Sequence, residues 1–241
     1  MMKPALTFPM VFLLVIGLTA CAGGDRESQA TAVRQLIGQS YGAQYFDQIE
    51  QVQYTYNVKK GEQHHRRFWI WEPKSDRVTF DGMDYTDPVT YFRKDLQTSS
   101  SSLLKSIDAW FINDNYWFLF PFRVARDTRT MIEDVGRRQL PMGQGDAFCV
   151  VVTFPAEGGG DTPGDVYELY LDQNVRLVQW IYRRVGSKTP TRIATWDDHR
   201  NLGPLVFSMD HQGEEGNFRV WFTQVGVKLA GVDGWIFMDE K

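Results

Sequence analysis

Val52, Tyr54, Tyr56 and Val58 alternate with Gln51, Gln53, Thr55 and Asn57, a period of two that predicts a strand burying one face. Lys60-Gly61-Glu62 supplies a turn into a second strand over 64–72, whose Phe68, Trp69, Ile70 and Trp71 are apolar on both faces and so demand cover on each side. A further turn over 72–76 leads into 77–80, so the first third reads as a β-meander. Ahead of it, Val33, Leu36, Ile37 and Tyr41 share one helical face, opposite Arg34, Gln35 and Gln39. This spacing predicts an amphipathic helix over 30–41 that Gly42 ends. After a serine run at 99–102, Leu103, Leu104, Ile107, Trp110 and Phe111 form a wide apolar helical face that packs on a sheet. Asn113-Asp114-Asn115 breaks that pattern, and 116–122 is the most aromatic stretch of the chain. Strand signals return over 147–154, 165–171, 176–184, 191–196, 204–209 and 217–225, with Asp172-Gln173-Asn174 the clearest hairpin turn. Short strands in succession, two helices and no βαβ alternation predict an α+β, mainly β, chain. Its antiparallel sheet would have roughly nine to eleven strands with helices on one face, without internal repeat or domain boundary.

Composition narrows the partners. The chain has 241 residues, 43% of them hydrophobic, which suffices for one packed core. With 26 Lys+Arg against 30 Asp+Glu and a net charge of -4, the surface offers no general attraction for a polyphosphate backbone, so nucleic acid is excluded as the expected partner. Two cysteines are too few for a disulfide scaffold or a Cys-based zinc module.

Residues 1–20 read as an export signal: one early charge at Lys3, then an apolar stretch over 5–18, then small residues before Cys21. That stretch falls short of the roughly 20 residues needed to span a bilayer, and Pro9 interrupts it. Leu18-Thr19-Ala20-Cys21 resembles the bacterial lipobox. The resemblance implies cleavage before Cys21, acylation of that cysteine and attachment to a membrane; Ala22, where Asp would signal retention at the inner membrane, implies the outer membrane facing the periplasm. Residues 22–31 are small and polar and suit a flexible tether. The expected organisation is therefore 1–20 leader, 21–31 lipidated cysteine and tether, and 32–241 a single domain. Cys149, in an apolar β-branched run, is expected as a buried, inert thiol.

The chemical motifs are sparse. Gly38-Gln39-Ser40-Tyr41-Gly42 matches G-x-S-x-G, but it closes a helix rather than joining a strand to one, so the nucleophile-elbow geometry is missing. His64 and His65 are adjacent on a strand and point to opposite faces, which keeps them off a common metal. Asp197, Asp198 and His199 are metal-ligating residue types, but three consecutive loop residues do not by themselves build a site. Gly158-Gly159-Gly160-Asp161 lacks the Lys and helix of a phosphate loop and is expected as a flexible turn. The reading is of a non-enzymatic chain without catalytic residues, metal or cofactor.

Aromatic residues make up 14% of the chain, and either a large filled core or a curved sheet enclosing an apolar cavity under a helical lid accounts for them. The layout over roughly 30–237 is a leading helix, a meander, the 113–122 segment and the 162–174 hairpin. It resembles the LolA/LolB-like lipoprotein-carrier superfamily, in particular its uncharacterised bacterial lipoproteins. The resemblance implies a curved antiparallel sheet, an unclosed β-barrel whose concave face is covered by helices, and an acyl chain or lipid as ligand. Tyr54, Tyr56, Trp69, Trp71, Trp110 and Trp117 are then the candidate lining residues. The alternative is an envelope interaction or sensor protein with a filled core and a protein partner.

Overall fold

A computed structural model describes residues 24–82 and 85–239. The leader, Cys21 and the first residues after it lie outside the described residues. Helix α1, Gly24–Tyr41, begins six residues ahead of the amphipathic pattern, so 24–31 is helical rather than the flexible tether expected there. Its far end is tied to both sheets through one atom. The Tyr41 hydroxyl accepts from the Leu177 N–H at 3.0 Å and shares a hydrogen bond with His199 Nε2 at 2.9 Å.

Strands β1 (Ile49–Lys60), β2 (Gln63–Glu72), β3 (Arg77–Gly82) and β4 (Val89–Phe92) form the expected meander. In β1, Val52, Tyr54 and Tyr56 point into the core as their alternation requires. The opposite face is closed over too: Thr55 donates to Gln224 Oε1 at 2.6 Å and Asn57 to Thr223 Oγ1 at 3.1 Å. In β2, by contrast, Trp69 is buried while Phe68 and Ile70 are only half-buried, so the cover expected on both faces is incomplete.

Helix α2, Ser102–Arg126, is the element the sequence pattern cut short. Ser101 caps it, its side chain accepting from the Leu104 N–H, which satisfies one of the free donors at the helix start. Arg123 and Arg126 in the last turn complement the helix dipole. The helix does not stop at Asn113-Asp114-Asn115. It runs through Pro121, and every residue over 114–122 is buried. A helix buried on all sides shows no amphipathic period, which is why the aromatic run looked like a separate element.

Asn113 stays exposed, and Asp114 survives in the core because its charge is neutralised. Arg67 of β2 donates two hydrogen bonds to its carboxylate, at 2.6 and 2.7 Å, and Trp69 Nε1 a third at 2.9 Å. Burial lowers the pKa of Arg67, but the Asp114 carboxylate more than offsets this and holds it above the ordinary arginine value.

The second sheet is β5 (Met131–Gln139), β6 (Asp146–Thr153), β7 (Val166–Leu171), β8 (Leu177–Arg183) and β9 (Arg192–Thr195), paired antiparallel in chain order. Trp196 then carries the chain back to the first sheet as β10 (Asp197–Leu202), β11 (Leu205–Gln212), β12 (Phe218–Leu229) and β13 (Ile236–Phe237), with β12 pairing to both β1 and β13. Among the described residues thirteen strands replace the nine to eleven expected; β4, β5, β10 and β13 lacked a readable pattern. An Ala194–Gly213 bridge joins the sheets at one edge, leaving an unclosed, curved α+β half-barrel around α2. Cys149 of β6 is buried as expected, and burial pushes its thiol up to about 11. Among the described residues no helix is long and apolar enough to cross a membrane.

Removing one partner of a buried ion pair strands the other. Arg67→Met should therefore cost about 3 kcal/mol in urea unfolding, the low end of the range because Arg67 keeps 19% side-chain exposure. Asp114→Leu added to Arg67→Met should recover part of that loss; a double variant as unstable as the two singles summed would show the pair is not the unit of stabilisation.

Candidate functional site

Two clefts flank α2, and helical spacing assigns a face to each. Ala109, Ile112, Asn113 and Tyr116 share one face and line a cleft of about 360 Å³ at the seam between the sheets. Its other walls are Tyr56 of β1, Trp117, Tyr167, Trp180, Tyr182 and Phe218, with Arg192 at the start of β9. Register builds this wall: Tyr167 pairs with Tyr182 across β7 and β8, and their rings stack at 4.9 Å. Burial raises the pKa values of Tyr56, Tyr116, Tyr167 and Tyr182, so these phenols stay neutral at any physiological pH.

The adjoining face of α2, with Asn115, Leu119, Phe122 and Arg123, lines a cleft of about 460 Å³ together with Phe46, Trp71 and Phe154, and Tyr116 borders both clefts. Its arginines are all engaged. Arg123 pairs with Asp161 at 3.2 Å and donates to Asn115 Oδ1, Arg126 pairs with Asp47, and Arg129 with Asp127.

A strap over 155–165 separates the two clefts. Asp161 takes hydrogen bonds from Arg93 at 2.8 Å and Arg123 at 3.2 Å, and Thr162 donates to the Tyr116 hydroxyl at 3.0 Å. Burial raises Asp161, but Arg123 and Arg93 more than offset it and keep its pKa below the usual carboxylate range. The expected loose glycine turn is thus pinned. A Cβ on Gly159 would sit 2.0 Å from the Pro155 carbonyl oxygen, so the chain can pass there only as glycine.

The six sequence-derived residues do not share one surface. Tyr56 and Trp117 lie in the seam cleft and Trp71 in the other. Tyr54 and Trp69 have no exposure; they pack against Phe118 and against Phe80 and Phe111, part of the core rather than of an open cavity. Trp110 is 38% exposed on α2, with Arg67 above its ring. The residues missed were Tyr116, Tyr167, Trp180, Tyr182, Phe218 and Arg192. Trp180 and Tyr182 do alternate within a predicted strand, but only the pairing with Tyr167 puts them in the wall.

The remaining polar motifs are accounted for. Ser40 lies in the last turns of α1, with its hydroxyl 2.9 Å from the Ile37 and Val175 carbonyl oxygens. Asp197, Asp198 and His199 lie on β10 and not in a loop; Asp198 pairs with Arg200 and His199 bonds Tyr41. His64 stacks on Trp221. Among the described residues no three His, Cys, Asp or Glu side chains are grouped to hold a metal ion.

His211 is buried behind Trp117 and Trp196, with Nδ1 donating to the Thr195 carbonyl at 3.1 Å. Burial pushes its pKa down to about 3, against the pull of the Thr195 and Trp117 carbonyls. The second of these is the carbonyl that residue 121 would bond in a regular helix, and Pro121 has no N–H to give it.

No protein-family model matches the chain, and no curated protein does. Solved structures do resemble it. The half-barrel is the fold of a DUF1329 family protein from Desulfovibrio piger, at a TM-score of 0.50 and 10% identity over 87% of this chain and 95% of that one. A putative outer membrane lipoprotein-sorting protein domain from Vibrio parahaemolyticus aligns at a TM-score of 0.48 and 10% identity, covering 86% of this chain and 95% of that one. The Pseudomonas aeruginosa MucA/MucB complex aligns at 0.27 and 12% identity, over 85% of this chain and 59% of that one.

A histidine buried neutral gains a proton on unfolding wherever the pH lies below its unfolded value. Its depressed folded value means that stability is fully present above the unfolded value near 6.5 and falls by about 1.4 kcal/mol per pH unit on acidification toward 3. Urea unfolding from pH 7.5 to 4.5 should show this slope. His211→Phe should flatten it in part, leaving the smaller contribution of His199, whose pKa is lowered by burial and by Arg176. Parallel profiles would mean that His211 stays uncharged in both states.

Proposed function

We propose that the protein is a lipid-anchored component of the bacterial cell envelope that binds a lipid or acyl chain without converting it. The observation that carries this reading is the seam cleft, about 360 Å³ of mainly aromatic wall opening between two sheets onto the central helix. Pockets of this size and lining suit a hydrocarbon group with a few polar contacts at its edge. Attachment rests on Leu18-Thr19-Ala20-Cys21: acylation of Cys21 after cleavage would hold the chain at a membrane, and Ala22 favours the outer membrane facing the periplasm.

One observation favours a second reading, a non-enzymatic interaction or sensor protein with a protein partner. Much of the concave face is occupied by α2 itself, with Phe118 and Phe120 buried against Tyr54, Phe207, Phe222 and Trp180. Under that reading the clefts are shallow remnants and the ligand is another polypeptide.

Native mass spectrometry with lipid extraction on the membrane-purified protein separates the two. The acyl-binding reading expects a reproducible noncovalent lipid in addition to the covalent acyl mass, and a Cys21→Ser chain that no longer incorporates labelled palmitate. Ala109→Trp, at an exposed position on the cleft wall, should lower lipid occupancy several-fold without moving the unfolding midpoint. A chain that carries no lipid before or after this substitution would turn the search to protein partners.

A further inference from the structure

Arg192 differs from the other arginines that reach into the clefts or the charged network around α2; Arg34, buried without a carboxylate in ion-pair distance, is bonded instead to the Thr130 carbonyl and hydroxyl. Arg67 is paired with Asp114, Arg93 with Asp108 and Asp161, Arg123 with Asp161, and Arg183 with Glu168. Arg192, half-buried at the mouth of the seam cleft, has no carboxylate within ion-pair distance among the described residues. Its guanidinium instead lies over the Phe218 ring, 4.1 Å from the centroid. The one buried carboxylate of the adjoining wall, Asp165, is occupied by the Tyr182 hydroxyl and the Val185 N–H, both at 2.9 Å.

The rest of the cleft carries no compensating charge. Its phenols are held neutral by burial, the Thr162 hydroxyl donates to Tyr116, and the Thr191 hydroxyl accepts from the Arg184 N–H. Trp180, 2% exposed in the wall, has an indole N–H without a hydrogen-bond acceptor. An unpaired cation and an unpaired donor beside an apolar surface are complementary to a molecule with a hydrocarbon end and an oxyanion at the other. A neutral amphiphile would cover Arg192 without pairing it, at a desolvation cost; a cationic head would be repelled. An anionic head forms a charge-assisted hydrogen bond there.

We infer that the seam cleft selects an anionic amphiphile, its hydrocarbon chain against the aromatic wall and its carboxylate or phosphate head on Arg192. This rests on the acyl-binding reading and specifies the ligand class for it. The adjoining cleft lacks the feature, since each of its arginines already has an acidic partner.

The test uses quenching of tryptophan fluorescence by 9,10-dibromostearate, by its uncharged methyl ester, and by a lysophosphatidic acid bearing the same brominated chain, on the whole protein at pH 8. The acid should bind about tenfold more tightly than the ester, Arg192→Gln should weaken the acid about tenfold while leaving the ester within about twofold, and Arg192→Lys should restore most of the difference. Tighter binding of either anionic form, lost in Arg192→Gln, sustains the inference, and the stronger of the two names the head as carboxylate or phosphate. Unchanged ester binding also shows that the variant is folded. Equal binding of acid and ester, indifferent to Arg192→Gln, overturns the anionic assignment and leaves acyl binding intact. Absence of quenching by all three probes overturns the acyl-binding reading itself, and this inference with it.

Discussion

A carboxylate with no solvent exposure in the middle of an aromatic helix is tolerable only if donors reach it from outside the helix, and Arg67 and Trp69 do so for Asp114. Because the bonds come from adjacent alternate positions of β2, they fix both the depth and the rotation of α2. Rotation decides which faces of α2 meet the two clefts. A helix turned by one residue would carry Tyr116 and Ile112 away from the seam and leave the carboxylate facing hydrocarbon.

The same logic of paired charge extends outward from α2. Arg93, the residue after β4, pairs with Asp108 on the helix and with Asp161 on the strap, and Arg123 reaches Asp161 from the other end. These bonds hold a glycine-rich crossing firmly against the helix where its composition alone would leave it loose. Thr162 and Tyr116 complete the contact, so one short strap divides the concave space into two compartments of different polarity.

The architecture was legible wherever one face of an element is buried. The alternation in β1 and the meander that follows could be read directly, because water on one side leaves a period of two. Where both sides are covered the period disappears, and α2 shows the consequence: its buried half has no polar face, and the Asn113-Asp114-Asn115 triplet reads as a break because the β2 partners of Asp114 are some 45 residues away. The short edge strands β4 and β13 carry too few residues for a pattern to emerge. For the site, aromatic character pointed to the right residue types but not to their facing. Trp69 has the composition of a cavity wall and the position of a core residue, and Arg192 became visible only once the pairings of its neighbours were known.

The early start of α1 bears on reach. Gly24 is three residues from Cys21, a separation that extended chain cannot stretch beyond about 11 Å. The 18-residue helix that follows is fastened at its far end to both sheets through Tyr41. Gln29 on Asp134 and Arg34 on Thr130 also fasten it along its length, so an acyl anchor on Cys21 would hold the domain close against its bilayer rather than on a long leash. So held, it could not swing away to collect cargo from a second membrane. Anything it binds would have to arrive by diffusion, be delivered by another carrier, or be drawn from the leaflet beneath it.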